Sequence, residues 1–322
     1  MPNRAGILTL ALLTATALAS PAESQETKPH AERLADGVWA AQPARGANVG
    51  WFLLGDGVVA VDTGGDVASG KQILELISET TSGKPVRTVI LTHVHGDHMG
   101  GVRAFAAAGA RVICQENVNG PVLSALAQSS ADPSDPLASK PGARPLVESI
   151  SERSILADGI RNAQIYFLGP AHTRGDLLVY LPAEKILFAG DVALNALYPY
   201  MQSPDMDPIG WERALAAISK ISPAKMVPGH GAIGPVSGLS DTLAYVQRVL
   251  AVSKKIVDKG ISDETVDIEI RAPENQIPNV VLSDTHIANV KAVVKSLREK
   301  AQKKSTPSPT AAPKTAATPA PK

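Results

Sequence analysis

One cysteine stands in this chain, Cys114. An intrachain disulfide is therefore excluded, and stability has to come from a core or from a metal. Cys114 lies in the apolar run ARVICQEN with no histidine near it in sequence, which points to a buried structural thiol rather than a nucleophile. An excess of one charge is also missing: 31 basic residues balance 31 acidic ones. No basic block occurs, and phosphate binding needs clustered Lys and Arg, so a nucleic-acid partner is not expected. Tandem repeats are absent. The apolar run from about Gly6 to Leu18 falls well short of the ~20 residues of a membrane-spanning helix. It follows Arg4 and ends at the small residues Ala17-Leu18-Ala19. That order matches a secretory signal peptide, so residues 1–22 are expected to be removed, leaving a periplasmic or secreted protein with no stable membrane insertion. An uncleaved membrane anchor is the alternative.

The chain does have apolar material enough for a sizeable core, 44% of 322 residues. After a polar segment at 23–35, expected to be loose, short β-branched runs centre on Val38, Trp51 and Val59. GKQILELISET, Gly70 to Thr80, has Ile73, Leu76 and Ile77 at helical spacing. RTVILTH, Arg87 to His93, is a continuous apolar run, the pattern of a strand buried on both faces. Strand and helix patterns keep alternating through SILAD, AQIYFLG, LLVYLP and KILFAGD, with helices expected over IGWERALAAISK, from Asp241 to about Asp258, and from about Asp284 to Lys300. This alternation argues for a layered α/β fold over 36–302. Residues 131–144 read as a surface loop. The Pro/Ala/Thr tail at 303–322 buries almost nothing apolar and is expected to be disordered.

The chemistry concentrates in LTHVHGDHMG, where His93, His95, Asp97 and His98 fall within six positions at the end of the buried strand. Residues i and i+2 of an extended segment point to one side, so the imidazoles of His93 and His95 can reach one point. Asp97 and His98 can reach a neighbouring one as the chain turns into a helix. A core does not accommodate three imidazoles and a carboxylate together, and a metal does. GPAHTRGD, ILFAGDVA and VPGHGAIG add His172, Asp191 and His230, each beside glycine at the end of an apolar run. Such ends gather functional residues in layered α/β folds. His30 and His286 fall outside these motifs and are expected to be solvated or capping residues.

HVHGDH, AHT, AGD and PGH occur here in the order and spacing of the metallo-β-lactamase superfamily, which the chain resembles from about Asp36 to Val249; VVAVDTGG upstream fits the same pattern. The resemblance implies a four-layer αββα sandwich: two mixed β-sheets face to face, with helices on the outer faces. It implies one metal held by His93, His95 and His172, a second held by Asp97, His98 and His230, and Asp191 bridging them. Asp62 of VVAVDTGG would then hold a ligand histidine from behind, or else cap the next turn. Imidazoles and carboxylates suit two zinc ions, with iron or manganese tolerating the same set. A zinc pair makes hydroxide available near neutral pH for attack on a carbonyl substrate, with Asp97 as the catalytic carboxylate that orients it and shuttles its proton.

The substrate is less defined. In the secreted β-lactamases of this superfamily, cysteine commonly stands where this chain has Asp191, and a lysine three residues later holds the drug's carboxylate; here that residue is Leu194. The expected activity is therefore that of a secreted dinuclear zinc hydrolase of an ester, lactone or cyclic amide, a β-lactam among them. An iron-dependent oxidoreductase of the same fold, reactive to oxygen or sulfur, or a phosphodiesterase is the alternative. Val192 to Trp211 is a candidate pocket wall for a small-molecule substrate, with Leu197, Tyr198 and Tyr200 close after a ligand, or else a surface loop on the sheet edge; Trp51 is a candidate for the pocket or the core. The loop from Arg45 to Trp51 is a candidate flap.

Overall fold

The computed structural model describes residues 29–128, 134–140, 142, 144–276 and 281–305. The expected signal peptide lies outside them, as does the tail from residue 306 onward. Among the described residues, no helix is long and apolar enough to cross a membrane.

Two sheets form the centre. The first runs in sequence order through β1 (Ala31–Ala35), β2 (Val38–Ala41), β3 (Val49–Leu54), β4 (Gly57–Val61), β5 (Val86–Ile90), β6 (Arg111–Gln115) and β7 (Val147–Ile150). It is antiparallel from β1 to β4 and parallel from β4 to β7. The second contains β8 (Arg153–Ala157), β9 (Asn162–Phe167), β10 (Leu177–Leu181), β11 (Ile186–Gly190) and β12 (Lys225–Pro228), in the order β12-β11-β10-β9-β8. Only β11 and β12 are parallel neighbours there. Because β10 runs antiparallel to both β9 and β11, the strands β9, β11 and β12 all point the same way.

The period-2 alternation of side chains divides the core into three layers. Val59, Val61, Phe52, Leu177, Val179, Leu181 and Phe188 face inward between the sheets. Their neighbours Val58, Ala60 and Trp51 face outward under Ile73 and Ile77 of α1 (Val67–Thr80) and Val102 and Phe105 of α3 (Val102–Ala107). On the far side, Leu178, Tyr180 and Leu187 pack under Trp211 and Leu215 of α5 (Pro208–Ser219), Val246 and Val249 of α6 (Ser237–Asp258) and Val290 of the last helix (Asp284–Ser305). The short helices Gly96–Met99, Asn119–Ala127 and Val266–Arg271 complete the set and, numbered in chain order, are α2, α4 and α7, which makes the last helix α8. The result is the expected four-layer αββα sandwich.

Three local expectations change. The segment expected to be loose ends in β1, which pairs along β2 and buries Leu34. The last helix continues to Ser305, past the expected start of the tail. His286 is neither solvated nor a cap: it is buried, with Nδ1 3.0 Å from the Tyr245 hydroxyl. Cys114 is buried as expected, and burial pushes its thiol up to about 11.

Candidate metal centre

All seven candidate ligands meet at one edge of the sandwich, because the strands that carry them end there. β5 leads through Leu91 and Thr92 to His93 and His95, and α2 then presents Asp97 and His98. The three parallel-pointing strands of the other sheet supply His172 after β9, Asp191 directly after β11 and His230 after β12. Donor atoms of His93, His95, His172 and Asp191 lie within 4.8 Å of one another, and so do those of Asp97, His98 and His230.

The two groups adjoin. His172 Nε2 is 3.0 Å from His95 Nδ1 and 3.5 Å from Asp191 Oδ2. Asp191 Oδ1 is 3.2 Å from His98 Nε2 and 3.7 Å from His230 Nε2. Asp97 Oδ2 is 2.9 Å from His230 Nε2 and 3.7 Å from His98 Nε2. Asp191 thus faces both groups. Room for it exists because residue 229 is glycine, where a Cβ would overlap Asp191 Oδ1.

Buried polar atoms without a partner are costly. Here His93 Nε2, His98 Nε2 and Asp191 Oδ1 are such atoms, and all three point into the cluster. A divalent cation in each of the two groups would satisfy these atoms, so the donor set fits metal. Two of the remaining ring nitrogens are anchored in the manner of ligand histidines. His98 Nδ1 is 2.9 Å from Asp62 Oδ2, and His172 Nδ1–H donates to the Tyr200 carbonyl at 3.1 Å. Each anchor leaves Nε2 aimed at the cluster. Asp62 also accepts from the Thr92 amide at 2.8 Å and from the Thr92 hydroxyl. Its backbone sits at φ 64°, in the left-handed region. Asp62 contacts His98 on the ring nitrogen away from the cluster.

The ionisation pattern suits coordination. Burial lowers His93 well below its usual range and brings His172 to about 4, so both are neutral and available as ligands. Burial would also lower His98, but Asp62 and Asp191 outweigh it and raise this residue to about 10. Burial would raise Asp191, but His98, His93 and His172 hold it below the carboxylate range. The hydrogen bond between Asp97 and His230 lowers the first and raises the second. Coordination through His98 would require that raised proton to be released.

A cleft of about 490 Å³ opens over the cluster, lined by His95, Asp97, Asp191 and His230 on its floor and Leu194, Leu197, Tyr198 and Tyr200 on its wall. No lysine or arginine is among the described residues that line it. Trp51 is not in the cleft. Adjacent residues of a strand face opposite sides, and on β3 it is Phe52 that turns inward while Trp51 packs outward beneath α1, donating to Thr80 Oγ1 at 3.0 Å. The loop before β3 is pinned down rather than free to act as a flap. Its Ala47 amide donates to Asp97 O at 2.9 Å, and Asn48 donates to Gly229 O, Pro228 O and Gly231 O.

Three further residues outside the ligand set support the site. Asn48 holds the His230 turn through the bonds just described. Asp176, buried and pushed up to about 7 by that burial, accepts from the amide and hydroxyl of Thr173 beside His172. Its place in HTRGD, next to a glycine turn, was a usable signal. Asn195 donates to Ala232 O and Pro235 O beyond His230, and nothing local marks it.

The sequence profile of the metallo-beta-lactamase superfamily matches residues 43–230. A linear primary-alkylsulfatase of Pseudomonas sp. (strain ATCC 19151) is 26% identical over 245 residues, which cover 66% of this chain but only 45% of that protein. The metallo-beta-lactamase type 2 of Bacillus cereus is 26% identical over 195 residues, covering 58% of this chain and 68% of that one. Among solved structures, a metallo-beta-lactamase from Pontibacter korlensis aligns with a TM-score of 0.55 at 24% identity, over 68% of this chain and 99% of its own. The matched region holds Asp62 and all seven clustered residues, so the chain belongs to the metallo-β-lactamase superfamily, as a metal-dependent enzyme with a His/Asp binding cluster.

Proposed function

We propose that the chain is a hydrolase that works with two divalent ions, zinc before iron or manganese, and that its substrate is an uncharged, partly apolar carbonyl compound: an ester or a lactone ahead of a β-lactam. The single observation that carries this reading is the pairing of two adjoining donor groups with a cleft whose described lining has apolar and phenolic residues and no cation. His93, His95 and His172 would hold one ion, Asp97, His98 and His230 the other, and Asp191 would face both. Such ions supply Lewis acidity and bring the pKa of water down to around 7.

The chain's own residues do the rest. Asp97 lies on the cleft floor, its side chain 42% exposed, where it can accept a hydrogen bond from the attacking water and later deliver a proton to the leaving group. Without metal, its bond to His230 favours the ionised form that a proton acceptor needs. Leu194, Leu197 and the Tyr198 and Tyr200 rings offer apolar surface to the acyl or alkyl part of a substrate. A substrate carboxylate would find no counter-charge on this wall, which weighs against β-lactams.

A second reading, hydrolysis of an alkyl sulfate ester, is supported by the likeness to the alkylsulfatase and by the apolar wall. The missing cation weighs against it as well. We also propose a periplasmic or secreted location, on the leader at 1–22, which cell fractionation tests directly. For the activity, the decisive experiment is turnover of the zinc-loaded protein on matched neutral esters, lactones, β-lactams, phosphodiesters and alkyl sulfates. Preference for the neutral carbonyl compounds is expected. A higher kcat/KM for an anionic member would overturn the substrate assignment, and stoichiometric iron in protein isolated without added metal would overturn zinc.

A further inference from the structure

Asn289 lies on α8, well beyond the matched region 43–230, yet it grips the wall of the cleft. Its side chain is fully buried. Nδ2 donates to the Pro199 carbonyl at 2.8 Å, and Oδ1 accepts from the Met201 amide at 3.1 Å. One side-chain amide therefore holds the backbone on both sides of Tyr200, as a neighbouring strand would. The Tyr200 carbonyl between these two bonds accepts from His172 Nδ1, and the Tyr200 ring stands 6.3 Å from His95. Asn289 is itself fixed from behind. Nδ2 also donates to the Tyr245 hydroxyl at 3.0 Å, and that hydroxyl lies 3.0 Å from His286 Nδ1. The Tyr245 ring stacks on Tyr198, the other phenol of the wall, with centroids 5.1 Å apart.

We propose that Asn289 is a positioning residue for the metal centre: by fixing the peptides around Tyr200 it sets the tautomer and ring direction of His172. Three features favour this over a packing role. The side chain's polar atoms meet two peptide groups and a hydroxyl, contacts that space-filling alone does not require. Both ends of the amide are used, and both on the same three-residue stretch. The outcome of that grip is a carbonyl aimed at a candidate ligand, the kind of support whose loss typically lowers metal affinity ~10–100-fold. The function of the C-terminal helices is then partly to complete a site whose donors all come from elsewhere.

The inference rests on the reading that the cluster holds metal, and the test separates the two. Metal affinity of the full-length protein is measured for each equivalent by competition with a chromophoric chelator, alongside the visible spectrum of the cobalt-substituted protein. Asn289→Leu is expected to weaken one equivalent by roughly tenfold or more and to shift the cobalt bands, leaving the other equivalent unchanged. Val290→Ala, on the same helix and equally buried, is the packing control; it is expected to lower the melting temperature with both affinities intact. Should Asn289→Leu not fold, Asn289→Asp keeps the shape and the acceptor but loses the donor to Pro199, and is expected to weaken the same equivalent. Wild-type affinities and spectrum in a folded Asn289 variant would overturn the positioning role. A wild-type protein that binds no zinc or cobalt would overturn the metal-centre reading itself.

Discussion

Replacing Asp62 by Asn tests how the centre holds its ligands. The choice of Asn follows from the backbone: at φ 64° a residue other than glycine is strained, and Asn tolerates this region where Ala does not. Asp62 accepts three hydrogen bonds, from the Thr92 amide, the Thr92 hydroxyl and His98 Nδ1. Asn has one acceptor oxygen. If it keeps the Thr92 amide, its NH2 group faces His98 Nδ1, which then has to become an acceptor. The proton moves to Nε2 and points into the cluster, where a lone pair is needed. Loss of support behind a ligand histidine costs ~10–100-fold in metal affinity, or about 1.4–2.7 kcal/mol. The loss should fall on the equivalent held by Asp97, His98 and His230. Chelator competition on a folded Asp62→Asn protein reads it directly. Affinity within twofold of wild type for both equivalents would refute the argument that Asp62 sets the His98 tautomer.

Asp97→Asn should retain at least one metal equivalent while kcat falls by ~10²-fold or more, as expected for loss of a proton carrier; metal content and turnover measured on the same sample decide it. Trp51→Phe should cost about 1 kcal/mol of stability through the lost bond to Thr80 and leave kcat/KM unchanged, since the ring sits beneath α1; a changed kcat/KM would return Trp51 to the site. The pH dependence follows from His98. Its folded pKa is raised from 6.5 to about 10, so in metal-free protein its stabilising contribution is complete below pH 6.5 and is lost as pH rises through about 10. Metal must displace that proton, so metal affinity should climb with pH over the same window, as proton release in calorimetry will show.

The HxHxDH stretch was legible because its meaning is local: a buried strand ends, period 2 aligns His93 with His95, and a helical turn brings in Asp97 and His98. Asp191 and His230 were legible for a related reason, since each directly follows a short apolar run beside glycine and adds to the HxHxDH stretch. Trp51 was not. GWFLL places Trp51 and Phe52 on opposite faces of β3, and only the second sheet, absent from any local window, decides which face is the interior. The same limit hid Asn289 and His286. Their partners stand about 90 and 41 positions away, and nothing near them in sequence marks either. β1 escaped notice because an edge strand needs only one buried residue, and AERLA offers Leu34 alone.

The cluster joins the two sheets at their edge, with His93, His95, Asp97 and His98 following β5 of one and His172, Asp191 and His230 following strands of the other. Ions seated there would rivet the halves of the sandwich together. Occupancy then governs lifetime as well as turnover: free metal at a hundred times its dissociation constant adds about 2.7 kcal/mol against unfolding. In a metal-poor compartment the protein would be expected to unfold and be degraded sooner, so its abundance would follow metal supply even where its synthesis does not.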